Sequence, residues 1–265
     1  MNELDGCMEE INEHGLAVVL LLADVVGANA PVDEGPQVGV NSVQLPRFVL
    51  DTCATAEQAA RVLRETPQYD GGMPLHYLVA DASGHAFVRE RDRDGTGHVV
   101  EAGGTSLCVT NHPVHRRPDP AAPPRDDDET MLTYGRPETL TARARSAPLS
   151  ASRLRETLDE VRFDARNAGR YPVRTLWRTV FDLDDRVMWS RFYLGDRPDG
   201  SPATTRRSPS GSSPGDLRPT GAAHRGVTGC SVPGPGPGAA CVTSSAGGTD
   251  QIGDQAGGVS RTGRT

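Results

Sequence analysis

The chain has 265 residues, a net charge of −7 and 36% hydrophobic residues, which fits a folded protein and argues against a basic nucleic-acid-binding surface. Its longest apolar run, residues 16–26, is interrupted by Asp24 and is shorter than the roughly 20 residues of a membrane span. Five cysteines without C-x-x-C spacing argue against a structural zinc site and a disulfide scaffold. We therefore expect a cytoplasmic protein without a cofactor, a nucleic-acid partner or a membrane partner.

The apolar and aromatic residues are unevenly distributed along the chain. All aromatic residues lie before position 194, whereas half of the 30 glycines lie from Gly200 onward. A segment so poor in large apolar side chains cannot bury enough surface to offset the entropy lost on ordering. We predict one folded domain over residues 1–195 and a disordered tail rich in Gly, Pro and Ser over residues 196–265.

The first predicted elements are a strand and two helices. A polar turn at 12–16 leads into the apolar run 17–22, a pattern typical of a turn that enters a buried strand. Residues 44–50 and 55–65 predict two helical segments, and the second begins with the T-x-x-Q spacing of a capping box.

Most of the remaining pattern predicts strands, with two further helices between them. A Ser-Gly turn joins two β-rich runs, which predicts a hairpin over residues 75–90. Strands are expected at 98–101 and 106–110, helices at 138–146 and 152–163, and a second hairpin at 173–183 and 186–194. This clustered order favours an α+β fold with antiparallel sheets over a doubly wound parallel sheet.

Three stretches in this order, at residues 12–16, 44–59 and 108–113, resemble the choloylglycine hydrolase and isopenicillin-N acyltransferase family. They match its N-E-x-G-L turn, its R-x-x-L-x-T-C helix pair and its T-N strand end. The resemblance implies an N-terminal-nucleophile hydrolase fold, an αββα sandwich of two antiparallel sheets between helical layers. It also implies hydrolysis of a linear amide C–N bond, or autoproteolytic acyl transfer, with a small amide or acyl compound as substrate.

The chemistry of this family requires an N-terminal cysteine whose own amino group acts as the base and which forms a thioester acyl-enzyme. Asn111 matches the family asparagine that contributes to stabilising the oxyanion. The alternative is an asparagine that satisfies a turn before Pro113.

The sequence departs from the family pattern at its start. Eleven residues precede Asn12, so the strand that carries the nucleophile has no counterpart, and we expect a truncated, incomplete sandwich that is inactive as written. Cys7 is a candidate nucleophile because it follows Gly6, as in the acyltransferase branch. Leu22 stands where bile-salt hydrolases have a second asparagine. This difference favours the acyltransferase branch over the bile-salt hydrolases.

Two further alternatives follow from the same residues. A non-catalytic relative could bind an acylated small molecule or a partner chain, and an unpaired sheet edge could produce a homo-oligomer. The histidines lack H-x-x-x-H spacing, so we expect scattered histidines rather than a metal site: His14, His76, His85, His98, His112 and His115.

Overall fold

The computed structural model describes residues 6–23, 39–69, 74–92, 95–103, 106–116, 121–122, 124–127, 130, 132–146, 150–163 and 173–205, with the backbone of three further strands. In chain order the elements are β1 (Glu9–Ile11), β2 (Ala17–Leu22), β3 (Val40–Asn41), α1 (Gln44–Thr52), α2 (Ala56–Glu65), β4 (Gln68–Tyr69), β5 (Leu75–Ala80), β6 (Ala86–Arg91), β7 (Gly97–Glu101), β8 (Leu107–Val109), α3 (Gly135–Ser146), α4 (Ala151–Glu160), β9 (Val173–Asp182), β10 (Val187–Asp196), β11 (Pro202–Thr204), β12 (Ser208–Gly211), β13 (Thr228–Val232) and β14 (Ala239–Gly247).

The first sheet is antiparallel throughout and has the strand order β1-β2-β5-β6-β7. The strand β2 is buried on both faces. Its even-numbered residues, such as Val18 and Leu20, pack with α1 and α2, whereas Ala17, Val19 and Leu21 face the second sheet. Burial on both faces explains why this strand is a continuous apolar run rather than an alternating one.

The predicted turn at 12–16 is confirmed, and the side chain of Asn12 connects it to the helices. Asn12 Oδ1 accepts hydrogen bonds from the backbone N–H groups of His14 and Leu16, at 3.0 and 3.1 Å. Its amide nitrogen donates to the carbonyl oxygens of Leu50 and Cys53, at 3.0 and 2.8 Å. The turn and the helix pair are therefore adjacent in the fold, although 38 and 41 residues separate these partners in sequence.

The second sheet is also antiparallel and has the order β11-β10-β9-β14-β13-β8, with β12 additionally paired to β10. It packs on the first sheet through buried side chains that include Phe181 and Leu183. A buried polar contact joins the same two layers, because Glu9 accepts hydrogen bonds from Trp177 Nε1 and Thr179 Oγ1, at 3.0 and 2.7 Å.

The helices α3 and α4 cover the outer face of the second sheet. Leu140, Leu154 and Leu158 are fully buried there and contact Val180 of β9. The molecule is thus a four-layer α+β sandwich of helices, sheet, sheet and helices, as the resemblance implies. No helix within the described residues has the length and apolar character needed to span a membrane.

Both outer helices differ from their predicted bounds. The predicted start of α3 was residue 138, but the helix begins at Gly135, and α4 begins one residue earlier than predicted, after an N-cap at Ser150. The predicted end of α4 at 163 was too late. The chain leaves the helix at Val161 because the backbone of Phe163 bonds to Thr175, the third residue of β9.

The segment predicted as a tail, residues 196–265, contributes backbone to the second sheet. The strands β11 to β14 lie within it, and β13 lies between β8 and β14. Main-chain pairing of this kind does not depend on large apolar side chains. The other residues beyond 211 lie outside the described part of the chain, so the boundary at 195 remains a prediction.

Candidate active site

Asn111 lies two residues beyond the end of β8 and reaches across to the first sheet. Its Nδ2 donates a hydrogen bond to the carbonyl oxygen of Leu22, the last residue of β2, at 3.0 Å. The preceding residue, Thr110, is fully buried and donates from Oγ1 to the carbonyl oxygen of Thr133 at 2.5 Å. The asparagine that sequence identified is therefore held between the two sheets.

The oxygen of the same carboxamide accepts a hydrogen bond from a buried cation. Arg136 Nη2 donates to Asn111 Oδ1 at 2.7 Å, and Arg136 Nε donates to the carbonyl oxygen of Leu132 at 3.2 Å. The guanidinium carbon lies 5.0 Å from the centre of the Phe163 ring, within the range of a cation–π contact.

Burial lowers the pKa of Arg136 from 12.5 to about 10, and the negative charge of Asp126 opposes that shift. The guanidinium therefore stays charged at neutral pH, although the side chain is only 4% exposed. Burial in apolar surroundings destabilises the charged form of a cation. Buried charges with shifted pKa values of this kind are often found at functional sites.

Asp126 holds the start of α3 in place. Its carboxylate oxygens accept hydrogen bonds from the backbone N–H groups of Tyr134 and Gly135, at 3.1 and 2.6 Å, and from Thr130 Oγ1 at 2.9 Å. These contacts satisfy N–H groups that a helix start leaves without intrahelical partners. Asp126 thus fixes the first residues of α3, the helix that carries Arg136, and its negative charge acts on the guanidinium without a direct hydrogen bond among the described contacts.

His112 adds a neutral ring to the same region. Burial is the main cause that lowers its pKa below the ordinary 6.5, so the ring is uncharged at pH 7. Its Nδ1 lies 3.0 Å from the carbonyl oxygen of Thr133 and 3.1 Å from Thr110 Oγ1. The segment that carries Asn111 is therefore anchored on both sides of the asparagine.

The arrangement favours Asn111 as a hydrogen-bond donor to a developing negative charge. Donation from Arg136 to the carboxamide oxygen polarises the amide and strengthens its N–H groups as donors. One of the two Nδ2 hydrogens bonds Leu22, and the described residues provide no partner for the second. A preorganised donor of this kind stabilises the oxyanion of acyl transfer.

A family model described as acyl-coenzyme A:6-aminopenicillanic acid acyl-transferase matches residues 1–197. The chain belongs to this family. The match covers most of the chain and agrees with the resemblance seen in the three sequence stretches. It supports an amide hydrolase or acyltransferase of the N-terminal-nucleophile type.

Two solved structures share the fold of this acyltransferase-family chain. Penicillin V acylase from Agrobacterium tumefaciens has 21% identity and a TM-score of 0.50, with coverage of 76% of this chain and 65% of that one. A mutant of conjugated bile acid hydrolase from Clostridium perfringens has 11% identity and a TM-score of 0.51, with 78% coverage of both chains. The chain thus spans less than two thirds of the acylase. No curated protein matches it.

Cys7, the second site residue predicted for this family member, lies on the α1 and α2 face of the first sheet. It is 8% exposed, belongs to the cluster that contains Leu45 and Val49, and donates its backbone N–H to the carbonyl oxygen of Val43 at 3.0 Å. The described hydrogen-bond partners of Asn111 are Leu22 and Arg136, so Cys7 is not among them. Its proposed role remains a prediction.

Arg136 is the site residue that the sequence did not reveal. The predicted helix began at residue 138, which left Arg136 outside it, whereas α3 begins at Gly135. Within the helix, Arg136 and the fully buried Leu140 are four residues apart and share one face. A correct helix start would have indicated a buried arginine.

Proposed function

We propose that this protein cleaves linear amide C–N bonds, or transfers the acyl group to an amine. In this mechanism the thiolate of an N-terminal cysteine attacks the amide carbonyl, the C–N bond breaks, and the amine leaves with a proton from the cysteine's own amino group. Water or a second amine then attacks the thioester, the C–S bond breaks, and the acyl group leaves as the acid or the new amide while the thiol is regenerated. The substrate is a small amide or acyl compound, and we propose a cytoplasmic location. Homo-oligomers remain part of the proposal.

The observation that carries this proposal is the double anchoring of Asn111. The side chain is fixed by Leu22 and Arg136, at 3.0 and 2.7 Å, so that its donor groups need no reorganisation during the reaction. Removal of one such donor typically costs about 100-fold or more in rate. We assign Asn111 to the oxyanion and Arg136 to the positioning of Asn111.

The position of Cys7 does not favour it as the nucleophile. Its backbone N–H is bonded to Val43 and its side chain is buried against α1, on the opposite side of β2 from the second sheet. We therefore propose that Cys7 is not the nucleophile and that the bond between Gly6 and Cys7 stays intact.

Mass spectrometry tests the nucleophile. The full chain is incubated with penicillin V and, separately, with a conjugated bile acid, the compounds named for the two fold relatives. We expect the intact mass to persist, with no acyl adduct on Cys7. Loss of residues 1–6 together with an acyl group on Cys7 would overturn this part and identify Cys7 as the nucleophile.

Binding of the acid product tests the Asn111 site without requiring a nucleophile. We expect phenoxyacetate, the acid released from penicillin V, to bind the full chain, and Asn111→Asp to weaken binding at least tenfold. The substitution keeps an oxygen for Arg136 but removes the donor. Asn41→Asp is the matched control, because it makes the same change in β3 and keeps the Oδ1 that accepts from the N–H groups of Val43 and Gln44.

A non-catalytic relative is the second candidate, and the bonds of Asn111 within the protein favour it. If Asn111 only connects the two sheets, Asn111→Asp removes the bond to Leu22 and lowers the free energy of unfolding by about 1 kcal/mol. Phenoxyacetate binding would then be the same in this variant and in the Asn41→Asp control, which would contradict the catalytic proposal.

A further inference from the structure

Three potential metal ligands meet at the rim of the first sheet. Asp92 follows β6, His98 lies in β7, and His115 follows β8. His98 Nε2 lies 2.8 Å from Asp92 Oδ2, and His115 Nε2 lies 3.2 Å from Asp92 Oδ1. One ligand atom from each residue lies within 4.8 Å of the others.

The hairpin between β6 and β7 brings the first two ligands together. The backbone N–H of Asp92 donates to the carbonyl oxygen of Thr96 at 2.9 Å, and the N–H of Gly95 donates back to Asp92 at 2.9 Å. Gly95 has a φ of 84°, which favours glycine at this turn. The backbone thus fixes the separation of Asp92 and His98.

His115 is oriented by a buried carboxylate. Its Nδ1 bonds Glu90 Oε2, and its backbone N–H donates to the same oxygen at 3.0 Å. Glu90 is 1% exposed. Histidine ligands of metal ions commonly donate their second ring nitrogen to a carboxylate in this way, which fixes the tautomer and the ring orientation.

This tautomer places a lone pair opposite a carboxylate. A carboxylate accepts, so Nδ1 of His115 carries the hydrogen, and Nε2 of the neutral ring carries the lone pair. Nε2 is buried, has no hydrogen-bond partner among the described residues, and points to Asp92 Oδ1. A proton or a metal ion between Nε2 and Oδ1 removes the repulsion between their lone pairs, and only the metal ion would also bind His98.

Metal binding requires a rearrangement of the two rings. The His98 and His115 rings are stacked, with centroids 3.9 Å apart and planes 3° apart, so His98, which is 31% exposed, must tilt before both Nε2 lone pairs point to one ion. Nitrogen and oxygen ligands about 2.1 Å from a tetrahedral Zn²⁺ lie roughly 3.4 Å apart. The separations of 2.8 and 3.2 Å run to the two different oxygens of Asp92 and are shorter than that value by about 0.6 and 0.2 Å, so these side chains must also move apart when the ion binds.

We propose that Asp92, His98 and His115 bind a divalent transition-metal ion, with Zn²⁺ the best fit to two imidazoles and one carboxylate. Three protein ligands leave a fourth position for water. The ion would connect the β6–β7 hairpin to the segment that carries Asn111, four residues before His115. It would thereby fix that segment without taking part in the acyl transfer.

Arg116 is the competing cation at this site. Its Nη2 bonds Asp92 Oδ1 at 2.5 Å from the solvent side, and the arginine side chain is 52% exposed. A metal ion and the guanidinium would share the charge of one carboxylate. Removal of Arg116 should therefore strengthen metal binding, whereas it can only weaken a network made of protein charges alone.

The test is a titration of the chelator-stripped full chain with Zn²⁺ against a chromophoric chelator at pH 7.5. We expect one equivalent bound, a higher melting temperature, and affinity at least tenfold lower in His98→Gln and in His115→Gln. Arg116→Ala should raise the affinity severalfold. His85→Gln is the matched control, because His85 pairs with Glu101 at 2.9 Å on the same sheet without a third ligand.

Co²⁺ provides a second measurement that does not depend on activity. We expect visible d–d bands, without a strong thiolate band, that disappear in His98→Gln. Metal binding that survives both ligand substitutions would place the ion at another site, a thiolate band would place it on a cysteine, and either result would overturn the proposal. Absence of binding would also overturn it. Neither outcome bears on the Asn111 site.

Discussion

Two buried charges lie near the two ends of the segment 111–116, and their environments differ. Glu90 accepts hydrogen bonds from the N–H groups of Val114 and His115, at 2.7 and 3.0 Å, and lies 2.7 Å from His76 Nδ1. Burial raises its pKa, but these partners outweigh that effect and hold it at about 2. For Arg136, burial prevails and lowers the pKa to about 10.

The surroundings of the two charges have opposite effects on the ionised side chain. The surroundings of Glu90 favour its ionised form, which is typical of a group that organises the structure. The surroundings of Arg136 disfavour its charged form, and its donor reaches the side chain of Asn111. We infer that Glu90 contributes to stability, whereas Arg136 is retained for its effect on Asn111.

The largest expected effect is on stability at Glu90. Glu90→Leu leaves His76, His115 and the N–H of Val114 without their buried acceptor, which should cost roughly 3–5 kcal/mol of unfolding free energy. Urea denaturation measures this change. A cost below about 1 kcal/mol would show that Glu90 does not organise this region.

The pH dependence of stability tests the same charge without a substitution. The folded pKa of Glu90 is depressed from 4.5 to about 2, so its contribution is present above pH 4.5 and is lost as pH falls toward 2. A shift of this size corresponds to roughly 3 kcal/mol. Denaturation between pH 6 and 2.5 should show that loss, and Glu90→Leu should lack this component.

At Arg136 we expect a large effect on binding with a small effect on folding. Arg136→Met removes a buried charge whose protonated form is disfavoured by burial and keeps much of the side-chain volume, so the unfolding free energy should change by about 1 kcal/mol or less. Asn111 loses its orienting partner, so phenoxyacetate binding should fall about tenfold. Calorimetry and urea denaturation on one preparation separate the two effects. A large loss of stability with unchanged binding would show that Arg136 stabilises the fold and does not position Asn111.

The smallest expected effect is at an exposed pair. His85 and Glu101 are 36% and 52% exposed, so His85→Gln should change the unfolding free energy by less than about 0.5 kcal/mol. The same denaturation assay measures it. A cost comparable to that of Glu90→Leu would mean that burial does not distinguish these carboxylates.

The sequence allowed prediction of elements with a strong local pattern. The apolar run of β2 and the β5–β6 hairpin were recognisable because each is specified by neighbouring residues. Asn111 was identified through the family motif, but its contacts to Leu22 and Arg136 join residues 89 and 25 positions away. A short sequence motif does not reveal contacts between residues that are so far apart in the sequence.

The cluster of Asp92, His98 and His115 could not be predicted for a related reason. Sheet pairing aligns Glu90 with His98 in β6 and β7, which brings Asp92 and His98 to one rim. His115 reaches the same rim from the segment after β8, which belongs to the second sheet. The spacing rule for helical histidines does not apply where two sheets supply the ligands.

The hydrogen bonds of Asn12 also have a consequence for the order of folding. Its bonds to the N–H groups of His14 and Leu16 close within five residues, whereas those to Leu50 and Cys53 close loops of 38 and 41 residues. Short loops close at a lower entropic cost than long ones. We expect the turn to form first, with the Asn12 carboxamide already oriented. The hydrogen bonds from this carboxamide to the α1–α2 junction should form later in folding.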